Sequence, residues 1–306
     1  MEKIQVFASA TVANVGPGFD VLGFALKNIG DVVEARKISK RGVKIIKILG
    51  DDSQLPMQVE ENTVGIAALE VLKKLNPKEG VELKLEKRMP LSSGLGGSAA
   101  SAVAGAYAVN LLFGNKLKKE ELIEPCLKAE IKVSGCHADN IAPSLFGGFV
   151  LIRSYDPLHI VPLGSLDMHV IIAHPDYTIT TKFARSVIPK KISLKKVVSN
   201  LGNLSTIIAA VFKNDVKLLG KGINDEIIEP ARARLIPGFY EAKKAALSSG
   251  AYGCSISGAG PSVFAITDKK RKNKIIGKAM QEAFLKHGLE SKIYVSKVNE
   301  EGVKQI

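Results

Sequence analysis

The segment Pro90-Leu-Ser-Ser-Gly-Leu-Gly-Gly-Ser-Ala-Ala100 constrains this chain more than any other. It follows residues 81–87, where apolar side chains alternate as in a half-buried strand, and it opens into 99–112, a run of small and apolar residues that reads as a buried helix. Gly94, Gly96 and Gly97 permit backbone angles and close approaches that bulky residues forbid, and Ser98 adds only a small hydroxyl. A glycine-rich loop running into a helix N-terminus leaves N–H groups unpaired and adds the positive end of a helix dipole. The usual guest of such a site is phosphate. The absence of Gly-Lys-Ser/Thr excludes a Walker A loop. The absence of Gly-x-Gly-x-x-Gly with an acidic residue downstream excludes a dinucleotide loop. A plain tight turn is the bland alternative, but it has little use for three glycines, three serines and no charge.

Length and charge narrow the field. A chain of 306 residues suffices for one large or two ordinary domains with real cores. It has no run of 18 or more apolar residues, so no membrane span is expected. Met1 to Val6 lead directly into a strand, so no signal peptide is expected. Cys126, Cys136 and Cys254 have neither a paired framework nor metal-ligand spacing, which fits a reduced, cytoplasmic setting. The net charge of +13 raises the question of nucleic acid. The lysines are scattered over helix ends and turns, with no aromatic-interleaved basic platform and no helix-turn-helix pattern, so no nucleic-acid partner is expected. What remains is a solvated lysine surface whose field attracts anions such as ATP.

Strand patterns fall at 3–8, 31–36, 43–48, 81–87, 148–153 and 168–174, then at 251–255, 262–266 and 291–297. Helical patterns fall at 63–75, 98–113, 119–133, 194–212, 239–249 and 271–286. The mixture predicts an α+β fold with antiparallel sheet. A boundary in Ser154-Tyr-Asp-Pro157 gives domains 1–153 and 154–306, the second with a four-stranded sheet and helices on one face.

Three further clusters accompany the central loop. Ala10-Thr-Val-Ala-Asn-Val-Gly-Pro-Gly-Phe-Asp20 runs from a strand into a rigid turn that presents Asn14 and Asp20, an amide and a carboxylate suited to gripping an amino or hydroxyl group. Asp20 equally fits a cap for the next segment. Ser255-Ile-Ser-Gly-Ala-Gly-Pro-Ser262 joins two strands with residues small enough for backbone-to-backbone approach, as a bulged hairpin would also. Glu130 falls in an otherwise apolar helix, where a carboxylate needs a partner or a metal. With Ser98 it forms a hydroxyl–carboxylate pair suited to Mg²⁺. Asp139 and Asn140 follow a glycine turn and can orient a hydroxyl; His137 beside them fits a structural hydrogen-bonding role better than catalysis.

These segments, in this order, resemble the GHMP kinase superfamily of small-molecule kinases. The central loop matches its phosphate-binding motif almost residue for residue, except that Gly97 stands where serine is common. The 10–20 segment, Ser134-Gly-Cys-His-Ala-Asp-Asn-Ile-Ala-Pro143 with Cys136 as a departure, residues 174–185, and Glu229-Pro-Ala-Arg-Ala-Arg-Leu-Ile-Pro-Gly238 are most similar to the branch that phosphorylates homoserine. The likeness runs from about residue 3 to about residue 298.

The resemblance implies an N-terminal mixed-sheet domain, a ferredoxin-like C-terminal domain and an active site in the cleft between them. It implies phosphoryl transfer from ATP, with Mg²⁺, to the side-chain hydroxyl of L-homoserine on the path to threonine, by a homodimer. By position, Pro90, Leu91, Ser92, Ser93, Gly94, Leu95, Gly96, Gly97, Ser98, Ala99 and Ala100 hold the phosphates. Asn62 and Lys87 lie near adenine, although Asn62 equally fits a cap of the following helix. Ser98 and Glu130 hold Mg²⁺, and Asn14, Asp20, Asp139, Asn140, Thr181, Arg185, Arg232 and Gly258 surround homoserine. The residue chemistry agrees: an amino acid calls for a carboxylate at its ammonium (Asp20) and guanidinium at its carboxylate (Arg185 and Arg232, with Arg234 as rival). Asp139 either accepts the hydroxyl proton or, with Asn140, only orients the hydroxyl. Another kinase of the superfamily, of mevalonate or phosphomevalonate type, and a non-catalytic regulatory relative are the other readings.

Overall fold

The computed structural model describes residues 3–133 and 135–306; Ser134, in the motif quoted above, lies outside them. The order of elements is β1 (Lys3–Ala13), β2 (Leu22–Ile38), β3 (Val43–Leu49), α1 (Thr63–Leu75), β4 (Gly80–Glu86), α2 (Gly97–Leu112), α3 (Ile123–Val133), α4 (Ile141–Phe146), β5 (Phe149–Tyr155), β6 (Leu158–Gly164), β7 (His169–Pro175), α5 (Thr181–Ser186), α6 (Leu194–Lys213), α7 (Val216–Gly222), α8 (Ile228–Ala233), α9 (Phe239–Ser248), β8 (Gly253–Ile256), β9 (Val263–Thr267), α10 (Asn273–Leu285), β10 (Ser291–Lys297) and β11 (Lys304–Gln305). The expected α+β architecture is present as two sheets. A seven-stranded sheet has the order β11-β1-β2-β4-β3, with β5 added to the start of β2 and β6 to β5; a four-stranded sheet has the order β10-β7-β9-β8. All pairings are antiparallel except β3 with β4. No helix of the described residues is long and apolar enough to cross a membrane.

Helix α2 is the axis of the first half. Its sequence, Gly-Ser-Ala-Ala-Ser-Ala-Val-Ala-Gly-Ala-Tyr-Ala-Val-Asn-Leu-Leu, is small on every face, so it can be buried on nearly all sides. It packs against α1, α3 and the strands β1 and β2. Asn110 then fixes the chain beyond it, donating to the Leu117 carbonyl at 2.8 Å and accepting the Leu117 N–H at 3.0 Å. This packing aims the start of α2 into the space between the sheets.

Several elements lie where the sequence shows no pattern. The first half of β2, Leu22-Gly-Phe-Ala-Leu26, is buried on both faces and therefore does not alternate. Helices α4, α5, α7 and α8 span six or seven residues each, too short to show a 3.6-residue period. The polar stretch Ser154 to Pro157, expected between domains, falls in the β5–β6 hairpin, whose strands both belong to the first sheet. Its turn residues mark a hairpin, and the second sheet begins only at His169. The C-terminal residues return to the first sheet through the β1–β11 pairing and a bond from Asn299 Nδ2 to Ser9 Oγ at 2.7 Å.

Gly105 records how closely α1 and α2 approach. A Cβ there would lie 2.8 Å from both Cγ2 and the carbonyl oxygen of Val64. Alanine is the better helix former in open positions, but here the two backbones would have to separate. Gly105→Ala is expected to destabilise the fold by about 1–3 kcal/mol, as overpacking does, measured as a lowered denaturant midpoint; an unchanged or raised midpoint would show that the helices can give way.

Candidate active site

A cavity of about 510 Å³ opens at the start of α2. Three loops of small residues build its floor. Thr11 donates its N–H to the Leu95 carbonyl at 3.0 Å and its hydroxyl to Asn140 Oδ1 at 2.7 Å. Ser257 donates its hydroxyl to the Gly94 carbonyl at 2.8 Å, and the Ser262 N–H reaches the Ser93 carbonyl at 3.2 Å. Gly96, the N-cap of α2, has φ +68°, and a Cβ there would meet Thr11 Oγ1 at 2.1 Å. Only glycine satisfies both the angle and the contact. No side chain caps α2, so the N–H groups of its first turn and its dipole face the cavity side. Of the expected phosphate loop, Pro90, Leu91, Ser92, Ser93, Gly94, Gly96, Gly97 and Ser98 line the cavity, while Leu95, Ala99 and Ala100 are buried beneath it.

Two expected nucleotide residues are already engaged within the chain. Asn62 caps α1, accepting the Val64 N–H at 3.1 Å and donating to the Pro56 carbonyl at 2.8 Å. It thus fills the expected cap, and it also lines the cavity. Lys87 is buried, and its ammonium pairs with Asp31, donates to the Gly97 carbonyl at 2.9 Å and contacts Ser101 Oγ at 3.1 Å. All three of its donors are thus used and the side chain tethers the first turn of α2, while Lys87, like Asn62, also lines the cavity. Burial explains the choice: an ammonium in the interior needs a carboxylate, and Asp31 supplies it.

Ser98 and Glu130 come together as expected: Ser98 Oγ donates to Glu130 Oε1 at 3.1 Å, with Glu130 buried on α3. Two hard oxygens beside an uncapped helix start fit Mg²⁺, and Ser98 and Glu130 would be the side chains to hold it. Asp139 is buried, and among the described residues its Oδ1 has no hydrogen-bond partner. Burial, with the like charges of Asp20 and Glu130 second, pushes its carboxyl up to about 7; Arg185 acts in the opposite sense. Asn140 lines the cavity with its side chain steadied by Thr11.

The remaining candidates meet at the same cavity. Arg185 on α5 and Asp20 form a bidentate pair, Nη1 to Oδ2 at 3.0 Å and Nη2 to Oδ1 at 2.8 Å. The sequence assigns these two charges separately to the two ends of a zwitterion, whereas here they bind each other as a half-buried bidentate pair. Arg232 is buried and donates to the Gly258 carbonyl at 2.8 Å and, more weakly, to the Ala184 carbonyl at 3.3 Å. Burial and then the neighbouring Arg185 pull its guanidinium down to about 10. Arg234 is exposed and is not among the residues that line the cavity, whereas Arg232 is. Asn14 clamps two loops, donating to the Gly258 carbonyl at 3.0 Å and accepting the Asp20 N–H at 3.1 Å. Thr181, the first residue of α5, also lines the cavity.

Supporting residues escaped the sequence reading. Asp225 caps the short α8 by accepting the N–H groups of Ile227, Ile228 and Glu229 at 2.8–3.1 Å, and Glu229 pairs with Lys243 at 2.5 Å and Ser255 at 2.6 Å. Together they fix the helix that carries Arg232. Tyr155 donates to the Asp20 carbonyl at 2.8 Å and accepts the Ala138 N–H at 3.2 Å, tying the loop of Asp20 to that of Asp139. His137 lies 3.4 Å from Arg185 and 3.8 Å from Asp20 through Nδ1. The acid-then-helix order 225–229 was a readable cap signal; nothing local marks Tyr155.

Known proteins share this arrangement. The family model for the GHMP kinases N terminal domain matches residues 62–148, and that for the GHMP kinases C terminal matches residues 207–286. A homoserine kinase of Chlorobium phaeobacteroides (strain BS1) is 42% identical over 320 residues, covering 100% of both chains. That of Arabidopsis thaliana is 45% identical over 313 residues, covering 99% of this chain and 85% of its own. The crystal structure of homoserine kinase from Cytophaga hutchinsonii superposes with a TM-score of 0.96 at 49% identity, covering 100% of this chain and 98% of that one. With full-length likeness at this level, and the family's loops assembled around one cavity, the chain belongs to the homoserine kinases of the GHMP kinase family.

Proposed function

We propose that this chain transfers the γ-phosphoryl group of ATP to the side-chain hydroxyl of L-homoserine, giving O-phospho-L-homoserine and ADP on the path to threonine. The observation that carries this reading is a single cavity lined both by the uncapped start of α2 and by Asp20, Arg185 and Arg232. An anion site and a zwitterion site share one space, with Asp139 in electrostatic reach of Asp20, Arg185 and Glu130. A sugar or an isoprenoid alcohol has no use for both charge signs.

The residues divide the work as follows. The N–H groups of the 94–100 loop receive the phosphates, and Lys87, by holding the Gly97 carbonyl, keeps that loop in place. Mg²⁺ held by Ser98 and Glu130 would neutralise phosphate charge. Arg185 and Arg232 take the carboxylate of the amino acid and Asp20 its ammonium. Asn140 and Asp139 face the hydroxyl, and Asp139, with an unpartnered oxygen, accepts its proton. Phosphoryl transfer passes through a loose transition state, so placement and charge supply most of the acceleration.

The homodimer implied by the resemblance has a suitable face on α6, where Leu194, Val198 and Leu201 are exposed at four- and three-residue spacing. Sedimentation equilibrium is expected to give about twice 32.7 kDa, and a monomer at micromolar concentration would refute it.

Coupled ADP release is the test of substrate: turnover with L-homoserine is expected to exceed that with mevalonate, galactose or L-serine, and equal or better turnover of mevalonate or galactose would reject the reading. Arg232→Ala is expected to raise KM for homoserine more than tenfold, since a buried charged hydrogen bond is worth about 2–5 kcal/mol. KM for ATP should move little, and the exposed Arg234→Ala should be neutral.

The pH dependence follows from Asp139. Its folded value of about 7 lies above the ordinary 3.8, so the folded chain holds a proton that the unfolded chain has lost. The stability associated with this group is therefore lost as pH rises from about 4 through 7, and Asp139→Asn should remove that part of the loss. As proton acceptor the residue must be ionised, so kcat/KM should fall about tenfold per pH unit below 7. Asp139→Asn should cost about a hundredfold or more and abolish this limb. A variant that keeps its activity and its acid limb would assign the residue to orientation alone.

A further inference from the structure

The motif Gly16-Pro-Gly-Phe-Asp20 contains a residue to which the functional reading gives no part. Phe19 is half-buried and does not line the cavity. Its ring lies under two cations: the Cζ atoms of Arg185 and of Arg232 are each 5.1 Å from the ring centroid. The arginines come from α5 and α8, in the second half of the chain, and Phe19 from the loop between β1 and β2. Three separate segments thus meet at one phenyl ring.

Two guanidinium groups held this close repel each other, and the effect is visible at Arg232, whose charge is disfavoured first by burial and then by Arg185. Each group has polar partners, Asp20 for Arg185 and the carbonyls of Gly258 and Ala184 for Arg232. None of these partners touches both arginines. The face of an aromatic ring carries the negative part of its quadrupole and attracts a cation within about 6 Å of the centroid. Phe19 is placed to act on both at once. A phenyl ring also adds no acceptor atom that would compete with a substrate for the guanidinium N–H groups.

We propose that Phe19 is a positioning residue of the amino-acid site: its ring holds the guanidinium groups of Arg185 and Arg232 together, against their mutual repulsion, so that both address one α-carboxylate. This rests on the assignment of homoserine to the cavity. It also gives a physical reason for an aromatic residue directly before Asp20. The pair Phe19-Asp20 supplies Arg185 with a ring contact and a carboxylate from consecutive residues, and supplies Arg232 with the ring alone. An aliphatic residue of similar bulk would fill the same space without the attraction.

The test is steady-state kinetics with L-homoserine and ATP on the full chain, with thermal midpoints alongside. Phe19→Leu is expected to raise KM for homoserine about tenfold, with KM for ATP and the thermal midpoint nearly unchanged. Phe19→Tyr, which keeps the ring, should lie within about threefold of the parent. In an Arg232→Ala background, Phe19→Leu should have a smaller effect than in the parent, because one of the two cations it serves is gone. Equal rises in both KM values with a lowered midpoint, failure of tyrosine to restore the parent behaviour, or full additivity with Arg232→Ala would each overturn the proposal and leave Phe19 as packing. If the parent chain itself turns over no homoserine, the substrate assignment fails first, before any variant is compared.

Discussion

The site depends on backbone packed against backbone. The loops at 11–20, 90–100 and 255–262 touch through carbonyls, N–H groups and hydroxyls, because their residues have almost no side chain to keep them apart. That contact brings the start of α2 to the point where the two halves of the chain meet. It also explains why a helix almost without large side chains can be the centre of a stable half-molecule. Its neighbours approach closely enough for many weak contacts to replace a few large ones. The anion site is a consequence: a helix end that is held firmly, surrounded by small residues and left uncapped has its N–H groups available to a ligand.

Beneath that floor lies a second constraint. Lys87 and Asp31 form a buried ion pair that reaches Gly97 and Ser101 in the first turns of α2, and Asp31 also accepts the Arg88 N–H at 3.1 Å. A buried pair of this kind is weak in net stability but costly to break on one side, so it fixes geometry more than it adds strength. Here it links the end of β4, the turn after it and the phosphate loop into one body. The resemblance to the GHMP kinases, carried over by position, implied a place near adenine for Lys87. In the structure it also has a scaffold part, because a carboxylate 56 positions earlier in the chain is its neighbour, and it lines the cavity as well.

The same distinction separates what the sequence reveals from what it hides. The central loop, the α+β alternation, the Ser98–Glu130 pair and the place of Arg232 at the cavity were legible because each rests on local spacing or on a residue whose type is costly in its setting. The start of β2 was not, since burial on both faces erases alternation. The short helix α8 was hidden by its length, although its cap at Asp225 is local. Ser154 to Pro157 reads as a boundary in sequence and lies in the β5–β6 hairpin in the structure, because hairpin turns and domain linkers use the same residues. Tyr155 and Phe19 were invisible for a different reason: their roles consist entirely of contacts with distant segments, and an isolated tyrosine at a strand end or a phenylalanine in a turn has a dozen ordinary explanations.

The charges of the cleft form a system that a zwitterion can enter without unbalancing it. Asp20 and Arg185 satisfy each other, and Arg232 leans on backbone carbonyls. An amino acid brings one positive and one negative group, so partners can be exchanged while the sum of charges stays fixed. A neutral alcohol would either leave the Asp20–Arg185 pair intact and find nothing to bind, or break it and leave two half-buried charges without their partners, which is the costlier outcome. Asp139 stands apart from this exchange. Among the described residues it has no cationic hydrogen-bond partner, and burial and like charges push its carboxyl up to about 7. The two carboxylates thus differ in their surroundings within one cavity, a guanidinium fork at Asp20 and, among the described residues, an oxygen without a hydrogen-bond partner at Asp139, and that difference is the basis of the separate roles proposed for them.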